Sequence, residues 1–388
     1  MHIGFDVSQT GSSKAGCGYY AHALARALLD HGADHRWSFY PDFGDFYFDA
    51  RMPMVNPYAS ARSSYGPRHL TREAAARFWN SDELETALGA PQIVHANNFW
   101  CPLQLHSSRL VYTLYDLGFL LTPAWSTEEN RVGCFDGVFR ASLAADWIVA
   151  ISQASRDHYL ATFPHFPADR IRVIPPCSRF VDEVPAAQRP AALQGVAEGG
   201  FWLCVGTIEP RKNQRRLVDA YCEYLGRGGP PMPLVFAGGA GWRMDDFPRY
   251  LEERGVAGRV ILTGYVSDQE LVWLYRHCHA NLYPSLFEGF GLPILEGMQF
   301  GAPSLVADNS SLPEVAGEAA QLLPSDDTEA WAAAMLHLAG DPARRETMGR
   351  KSRLQAARFD WRKGAGDLLA LYEEAAATPR RSESCPRH

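Results

Sequence analysis

Two glutamates border a glycine-containing segment that follows an apolar run. The segment reads Asn281-Leu-Tyr-Pro-Ser-Leu-Phe-Glu-Gly-Phe-Gly-Leu-Pro-Ile-Leu-Glu296, with seven residues between Glu288 and Glu296. The pattern predicts a buried strand, a tight turn at the two glycines, and a helix that holds Glu296 in its first turn. Exposed N–H groups at a helix start favour a phosphate, and carboxylates accept hydrogen bonds from sugar hydroxyls. This chemistry suits a nucleotide sugar. The structural alternative is an electrostatically favoured helix start beside an unrelated surface glutamate.

A second segment, Gly206-Thr-Ile-Glu-Pro-Arg-Lys-Asn213, adds two adjacent cations. It follows an apolar run at 201–205 and precedes a helical pattern that Asn213 is suited to cap. Ligands of parallel α/β sheets bind at the carboxyl ends of strands, so Arg211 and Lys212 are expected to meet a diphosphate. Adjacent cations before a helix are also common on solvated surfaces.

Together the two segments resemble the retaining group 1 glycosyltransferases of family 4. The full string with Phe287, Pro293, Gly301 and Pro303 carries the resemblance in the second half of the chain. The resemblance implies that Glu296 binds the donor ribose and that Glu288 binds a hydroxyl of the donor sugar. Arg211 and Lys212 would hold the diphosphate, so the implied catalytic residues are Glu288, Arg211 and Lys212. The implied donor site consists of Gly206, Arg211, Lys212, Val266, Glu288, Gly289, Phe290, Gly291, Leu292 and Glu296.

The first half of the chain offers weaker candidates for an acceptor site. A glycine-rich turn, Gly11-Ser-Ser-Lys-Ala-Gly-Cys-Gly18, lacks the spacing of dinucleotide sites and of P-loops. In the resembling family such a turn faces the cleft between the domains, which implies roles for Gly16, Gly18 and Tyr19. At Tyr112-Thr-Leu-Tyr-Asp-Leu-Gly118, Tyr115 stands where family members often carry histidine, and Asp116 matches. Either Tyr115 holds a sugar hydroxyl or the acceptor contact has been rebuilt; a core tyrosine followed by a capping aspartate is the structural alternative.

Composition excludes several other classes of protein. The chain has 388 residues and a formal charge of −7, which argues against non-specific binding to nucleic acid. Its eight cysteines form no C-x-x-C pair, so neither a zinc ribbon nor a redox pair is indicated. No signal peptide or membrane-length apolar run is recognisable. We therefore predict a cytoplasmic protein, and leave open peripheral contact with the inner face of the membrane through Arg62, Arg68, Arg72 and Arg77.

Alternation of short apolar runs with helical patterns predicts an α/β fold. The resemblance implies the GT-B fold, in which two Rossmann-like domains face each other across a cleft and a C-terminal helix crosses back to the first. We predict an acceptor domain at 1–180, a linker at 181–200, a nucleotide-sugar domain at 201–360, a returning helix at 361–377, and a disordered tail at 378–388. Residues 40–80 lack periodicity and are interpreted as an insertion or long loop.

The expected activity is transfer of a hexose or deoxyhexose from a nucleotide sugar to a glycan or lipid-linked glycan acceptor, in surface polysaccharide assembly. A GDP-mannose-type donor is favoured and a UDP-sugar is the nearest alternative. No Asp-x-Asp motif is present, so we predict no cofactor and no metal, with Arg211 and Lys212 stabilising the departing diphosphate. A sugar-nucleotide epimerase or hydrolase, and a non-catalytic binding subunit, remain as alternatives.

Overall fold

A computed structural model describes residues 1–11, 16–32, 34–40, 58, 60–66, 72–103, 105–181, 183–241 and 244–381. The chain divides into two compact units. The first consists of Met1–Leu121, Glu128–Pro176 and the residues from Asp360 onward, and the second of Thr122–Thr127 and Cys177–Phe359. The chain therefore leaves the first unit and returns to it.

The described part of the first unit contains a parallel sheet of seven strands. The strands are β1 (His2–Asp6), β2 (Arg36–Tyr40), β3 (Ser63–Tyr65), β4 (Ile93–Ala96), β5 (Arg109–Leu114), β6 (Trp147–Ala150) and β7 (Ile171–Val173). Their order across the sheet is β3-β2-β1-β4-β5-β6-β7. The central strands are buried along almost their whole length, as expected for parallel strands covered by helices on both faces.

Helices connect these strands. They are α1 (Gly16–His31), α2 (Arg72–Trp79), α3 (Leu84–Ala87), α4 (Gly118–Leu121), α5 (Glu128–Ala144) and α6 (Gln153–Thr162). The interpretation of 40–80 as an insertion or loop is wrong for two of its described segments. Ser63–Tyr65 pairs with β2 as the edge strand, and Arg72–Trp79 is helical. Three residues are too few to show a hydrophobic period, which explains why the sequence did not indicate β3.

The second unit repeats this architecture with a parallel sheet of six strands in its described residues. The strands are β8 (Trp202–Val205), β9 (Leu234–Ala237), β10 (Val260–Gly264), β11 (Ala280–Tyr283), β12 (Ser304–Ala307) and β13 (Gln321–Leu323). Their order is β10-β9-β8-β11-β12-β13. The helices are α7 (Gln214–Gly226), α8 (Phe247–Glu253), α9 (Asp268–His277), α10 (Leu292–Gln299), α11 (Leu312–Ala316), α12 (Thr328–Gly340) and α13 (Pro342–Ala356).

The last helix, α14 (Trp361–Ala377), packs on the first unit as the resemblance implied. Its Trp361 ring lies 5.8 Å from the ring of Tyr20 in α1, and its Tyr372 hydroxyl meets His95 of β4. The prediction of a disordered tail from Thr378 is wrong for 378–381. Arg380 donates hydrogen bonds to the carbonyls of Leu105 and Ser108, so this segment is fastened to the first unit. Residues 382–388 lie outside the described range.

Within the described residues, no helix combines the length and apolar character that a membrane crossing requires. The seven cysteines found there are all free thiols.

Candidate functional site

The charged candidates gather where the second sheet changes its direction of winding. The chain runs from β8 to β9 and β10 on one side, and then places β11 on the other side of β8. Loops that leave the carboxyl ends of neighbouring strands diverge at such a point and leave room for a ligand. The segment after β8 carries Arg211 and Lys212, and the segment after β11 carries Glu288.

Arg211 is held by two carboxylates. Its Nη1 lies 2.8 Å from a carboxylate oxygen of Glu288 and donates to the carbonyl of Phe287, while its Nη2 donates to Glu209 at 2.7 Å. The Glu209 side chain is 4% exposed and that of Arg211 is 23% exposed. The carboxylates therefore orient a guanidinium that keeps part of its surface open. Glu209 was not among the candidates, although it lies within the quoted segment.

Lys212 binds the other oxygen of the same glutamate. Its Nζ donates to Glu288 at 2.7 Å and to the hydroxyl of Tyr283, the last residue of β11, also at 2.7 Å. Burial acts to raise the pKa of Glu288, but attraction to Arg211 and Lys212 outweighs it and lowers that pKa to about 2. Glu288 is therefore a carboxylate at any physiological pH, and it joins the two cations into one cluster.

Backbone geometry keeps this cluster compact. Gly206 has φ 142°, and a Cβ there would stand 3.4 Å from the Lys212 side chain. The hydroxyl of Ser310 accepts the N–H of Glu288, and Ser311 donates to the carbonyls of Glu288 and Phe290. Asn213 does not cap α7 with its side chain. It adopts a left-handed conformation, and its amide donates instead to the carbonyls of Pro284 and Ser325.

Glu296 lies in a different environment from the expected one. It is the fifth residue of α10, so its predicted place in the first turn is wrong. Its carboxylate accepts hydrogen bonds from Nε of Arg179 at 2.7 Å and from the hydroxyl of Tyr275 at 3.1 Å. Its side chain has 0% exposure. Sequence reasoning missed Arg179, because nothing near it in the sequence indicates its ion pair with Glu296.

The remaining donor candidates lie on the same unit. Gly291 has φ 115° and precedes α10, which brings Phe290, Gly291 and Leu292 to the start of that helix, with Gly289 beside Glu288. Val266 lies in the turn between β10 and α9, packed at the edge of the core. The structure thus gathers Gly206, Arg211, Lys212 and Glu288, and places Glu296 at the far end of the segment that begins with Glu288.

The acceptor candidates are held by the backbone of the first unit. The hydroxyl of Tyr115 donates to the carbonyl of Asn97 at 2.8 Å and approaches that of Cys17 at 3.2 Å. Its side chain is buried, and burial raises its pKa well above the usual value. Asp116 accepts the N–H of Gly118, which favours its interpretation as a turn-stabilising residue.

The structure describes only part of the glycine-rich turn. Gly16, Gly18 and Tyr19 form the first turn of α1, with Gly16 exposed and Gly18 buried. Residues 12–15 lie outside the described range. His95 lies in the core: its ring forms hydrogen bonds with Tyr372 and Thr113, and burial lowers its pKa to about 3.

No three His, Cys, Asp or Glu side chains in the described ranges are grouped as a metal site would require. The metal-free mechanism stays a prediction.

Family models match both halves of the chain. One described as "Glycosyl transferases group 1" matches residues 194–355, and one described as "Glycosyltransferase Family 4" matches residues 15–177. The chain is 34% identical over 286 residues to O-antigen chain mannosyltransferase B of Escherichia coli, covering 72% of this chain and 74% of that protein.

The chain is also similar to a second mannosyltransferase and to a solved structure. Serotype-specific mannosyltransferase WbdA of Escherichia coli is 27% identical over 399 residues, covering 93% of this chain, which spans 46% of that protein. Among solved structures, HepE of Anabaena in complex with UDP and glucose superposes with a TM-score of 0.68 at 18% identity. The match covers 96% of this chain and all of HepE, and establishes similarity of fold.

Proposed function

The chain belongs to the group 1 glycosyltransferases of family 4, and we propose that it transfers mannose from GDP-mannose to a growing glycan. The mannosyltransferase relatives support the choice of sugar. The single observation that carries the proposal is the cluster formed by Arg211, Lys212 and Glu288 at the switch point of the second sheet.

The cluster suits a sugar diphosphate. Arg211 and Lys212 are 23% and 12% exposed, so each presents a cationic surface while Glu288 holds it in place. Preorganised cations stabilise negative charge that grows on a leaving group without having to reorganise during the reaction. In this proposal Arg211 and Lys212 bind the diphosphate, and Glu288 also accepts a hydrogen bond from a hydroxyl of the transferred sugar. Glu296 lies at the end of the site that binds the nucleoside.

The bond between the sugar C1 and the diphosphate oxygen breaks, and the acceptor hydroxyl forms the new bond to C1 on the same face. The acceptor proton passes to the departing phosphate. Both Glu288 oxygens already accept hydrogen bonds from cations, so this carboxylate is poorly placed to act as a nucleophile. Its low pKa also prevents it from serving as the general acid that a hydrolase would need.

The acceptor in this proposal is a mannose-containing glycan, carried on a lipid in surface polysaccharide assembly. The supporting relatives are named as an O-antigen chain enzyme and a serotype-specific enzyme. Contact with a membrane surface would follow from a lipid-linked acceptor. Arg62 and Arg77 are exposed in the first unit, while Arg68 and the side chain of Arg72 lie outside the described residues.

The test is release of GDP from GDP-mannose with and without mannose oligosaccharides, with UDP-glucose and UDP-mannose as competing donors. We expect GDP release that depends on the acceptor. Arg227→Ala is a matched control, since Arg227 pairs with Glu223 and Glu329 outside the cluster. Equal release without acceptor would identify a hydrolase, and turnover of UDP-sugars alone would refute the choice of donor.

A further inference from the structure

A short segment of the second unit comes from the first half of the chain. Thr122–Thr127 belongs to the second unit, although α4 before it and α5 after it belong to the first. Within this segment, Pro123–Trp125 forms a single 3₁₀ turn. That turn lies against Pro210–Lys212, which carries both cations of the cluster. The proposed mechanism assigns this neighbour of the cluster no part.

Trp125 contacts the cluster through the ring of Phe287. The two rings are stacked, with their centroids 6.3 Å apart and their planes inclined by 26°. Phe287 is buried, whereas Trp125 keeps part of its surface exposed. Stacked aromatic pairs at such separations are favourable beyond the area that they bury. The contact with Trp125 therefore restricts the position of Phe287.

Phe287 is joined to the cluster through its backbone. Its carbonyl accepts a hydrogen bond from Nη1 of Arg211 at 2.8 Å, and the N–H of Leu286 donates to the Arg211 carbonyl at 2.8 Å. The residue after Phe287 is Glu288, whose carboxylate binds both cations. A displacement of Phe287 would therefore move a backbone acceptor and a carboxylate of the same guanidinium.

We propose that Trp125 is a positioning residue for sugar transfer, which acts through Phe287 on the orientation of Arg211. The inference rests on the proposed function and adds a residue to its site. A preorganised cation must face the leaving diphosphate before negative charge develops there. Small displacements of a catalytic group lower reaction rates strongly. Because Trp125 carries no charge, its contribution to the reaction is one of geometry.

Steady-state transfer by the full chain tests this role. Trp125→Ala should lower kcat roughly 10- to 100-fold. It should raise the donor KM less, because the orientation of Arg211 matters most for charge that grows in the transition state. Trp125→Phe keeps a ring against Phe287 and should restore most of kcat. Urea unfolding of each variant gives the folded fraction to which kcat is referred, so a loss of stability is not mistaken for a loss of rate.

Calorimetric titration with inorganic pyrophosphate reports on the two cations without a sugar, a base or an acceptor. Trp125→Ala should weaken pyrophosphate binding about 3- to 10-fold, as expected when one hydrogen-bonding group is displaced, and Arg211→Ala should weaken it more. The double variant should bind about as weakly as Arg211→Ala alone, because Trp125 acts through Arg211. Phe135→Ala is the matched control and should match wild type, since it removes one ring of a stacked pair with Phe139 in α5.

Wild-type kcat and pyrophosphate affinity in Trp125→Ala would overturn the inference. Losses that multiply in the double variant would also overturn it, because Trp125 would then act independently of Arg211. A higher acceptor KM with unchanged pyrophosphate affinity would assign Trp125 to the acceptor sugar instead. Failure of the wild-type chain to bind pyrophosphate is a separate outcome, which would refute the diphosphate site of the proposed function itself.

Discussion

The carboxyl edges of the two sheets share a topology and differ in charge. At the edge of the second sheet, Arg211 and Lys212 meet the Glu288 carboxylate, and the burial cost of each ion is met by an opposite charge. At the edge of the first sheet, burial raises the pKa of Asp6 to about 7, and Tyr115 is a neutral phenol that donates to the backbone. The same βαβ architecture therefore produces a charged site in one unit and a nearly neutral network in the other.

The difference shows that the strand edge alone does not define a phosphate site. What distinguishes the second unit is the residues that follow β8 and β11. In the first unit, polar residues near the strand ends form hydrogen bonds with one another and with the adjacent backbone. Asp6 accepts the N–H groups of Ser8 and Asn97, and Thr113 donates to the Asn97 side chain. On this basis, we propose that electrostatic catalysis resides in the second unit.

The strongest test of this asymmetry is Arg211→Ala. Because it removes a preorganised cation from the leaving group, we expect kcat/KM for sugar transfer to fall about 100- to 1000-fold. Steady-state release of nucleoside diphosphate in the presence of acceptor measures it. Tyr115→Phe, at the carboxyl edge of the first sheet, provides the comparison and should lower kcat/KM far less. Equal losses of kcat/KM would show that the two sheet edges do not differ in this respect.

Glu288→Gln should affect folding as well as activity. Arg211 and Lys212 would lose their shared counter-charge, and we expect the free energy of unfolding at pH 7 to fall by about 3 kcal/mol. The Glu288 pKa is lower in the folded chain than in the unfolded one. Its contribution is therefore complete above the ordinary pKa of glutamate and is lost as pH falls from about 5 to about 2.

Urea titrations at several pH values measure this effect. The variant should show a shallower decline of stability over that acidic range than the wild-type chain. Identical acid profiles would show that the cluster contributes nothing to the fold.

Glu85→Gln tests a buried carboxylate of the first unit that we assign no part in chemistry. Burial acts to raise the pKa of Glu85, but the N–H groups of His106, Ser107 and Ser108, which donate to its carboxylate, outweigh burial and lower that pKa to about 2. An amide can accept from fewer of these donors, so we expect a loss of about 1–3 kcal/mol in unfolding free energy. GDP affinity should be unchanged, and a matching loss of affinity would show that buried carboxylates in both units serve the donor.

The smallest expected effect is that of a chelator. Because two side-chain cations neutralise the diphosphate in the proposed mechanism, EDTA should leave the transfer rate unchanged, and added Mg²⁺ should not raise it. The measurement is the initial rate in metal-depleted buffer. A rate that falls with EDTA and recovers with Mg²⁺ would show that Arg211 and Lys212 do not suffice.

Sequence reasoning reached the fold and the cluster because both depend on local signals. Apolar runs predicted the central strands, and Arg211, Lys212 and Glu288 lie in short segments next to such runs. Sequence reasoning failed where a residue's interaction partner lies far away in the sequence. Arg179 precedes Glu296 by more than a hundred residues, and nothing local indicates their ion pair. The strand β3 is three residues long, so it has no detectable period.

The placement of α14 has a consequence for the order in which the chain is made. The packing surface for α1 comes from residues 361–377, and Arg380 fastens the segment beyond. During synthesis, therefore, the first unit cannot complete its core until the second has been translated in full. We expect the second unit, nearly continuous from Cys177 to Phe359, to be the earlier to mature on the ribosome, contrary to the usual N-terminal-first order.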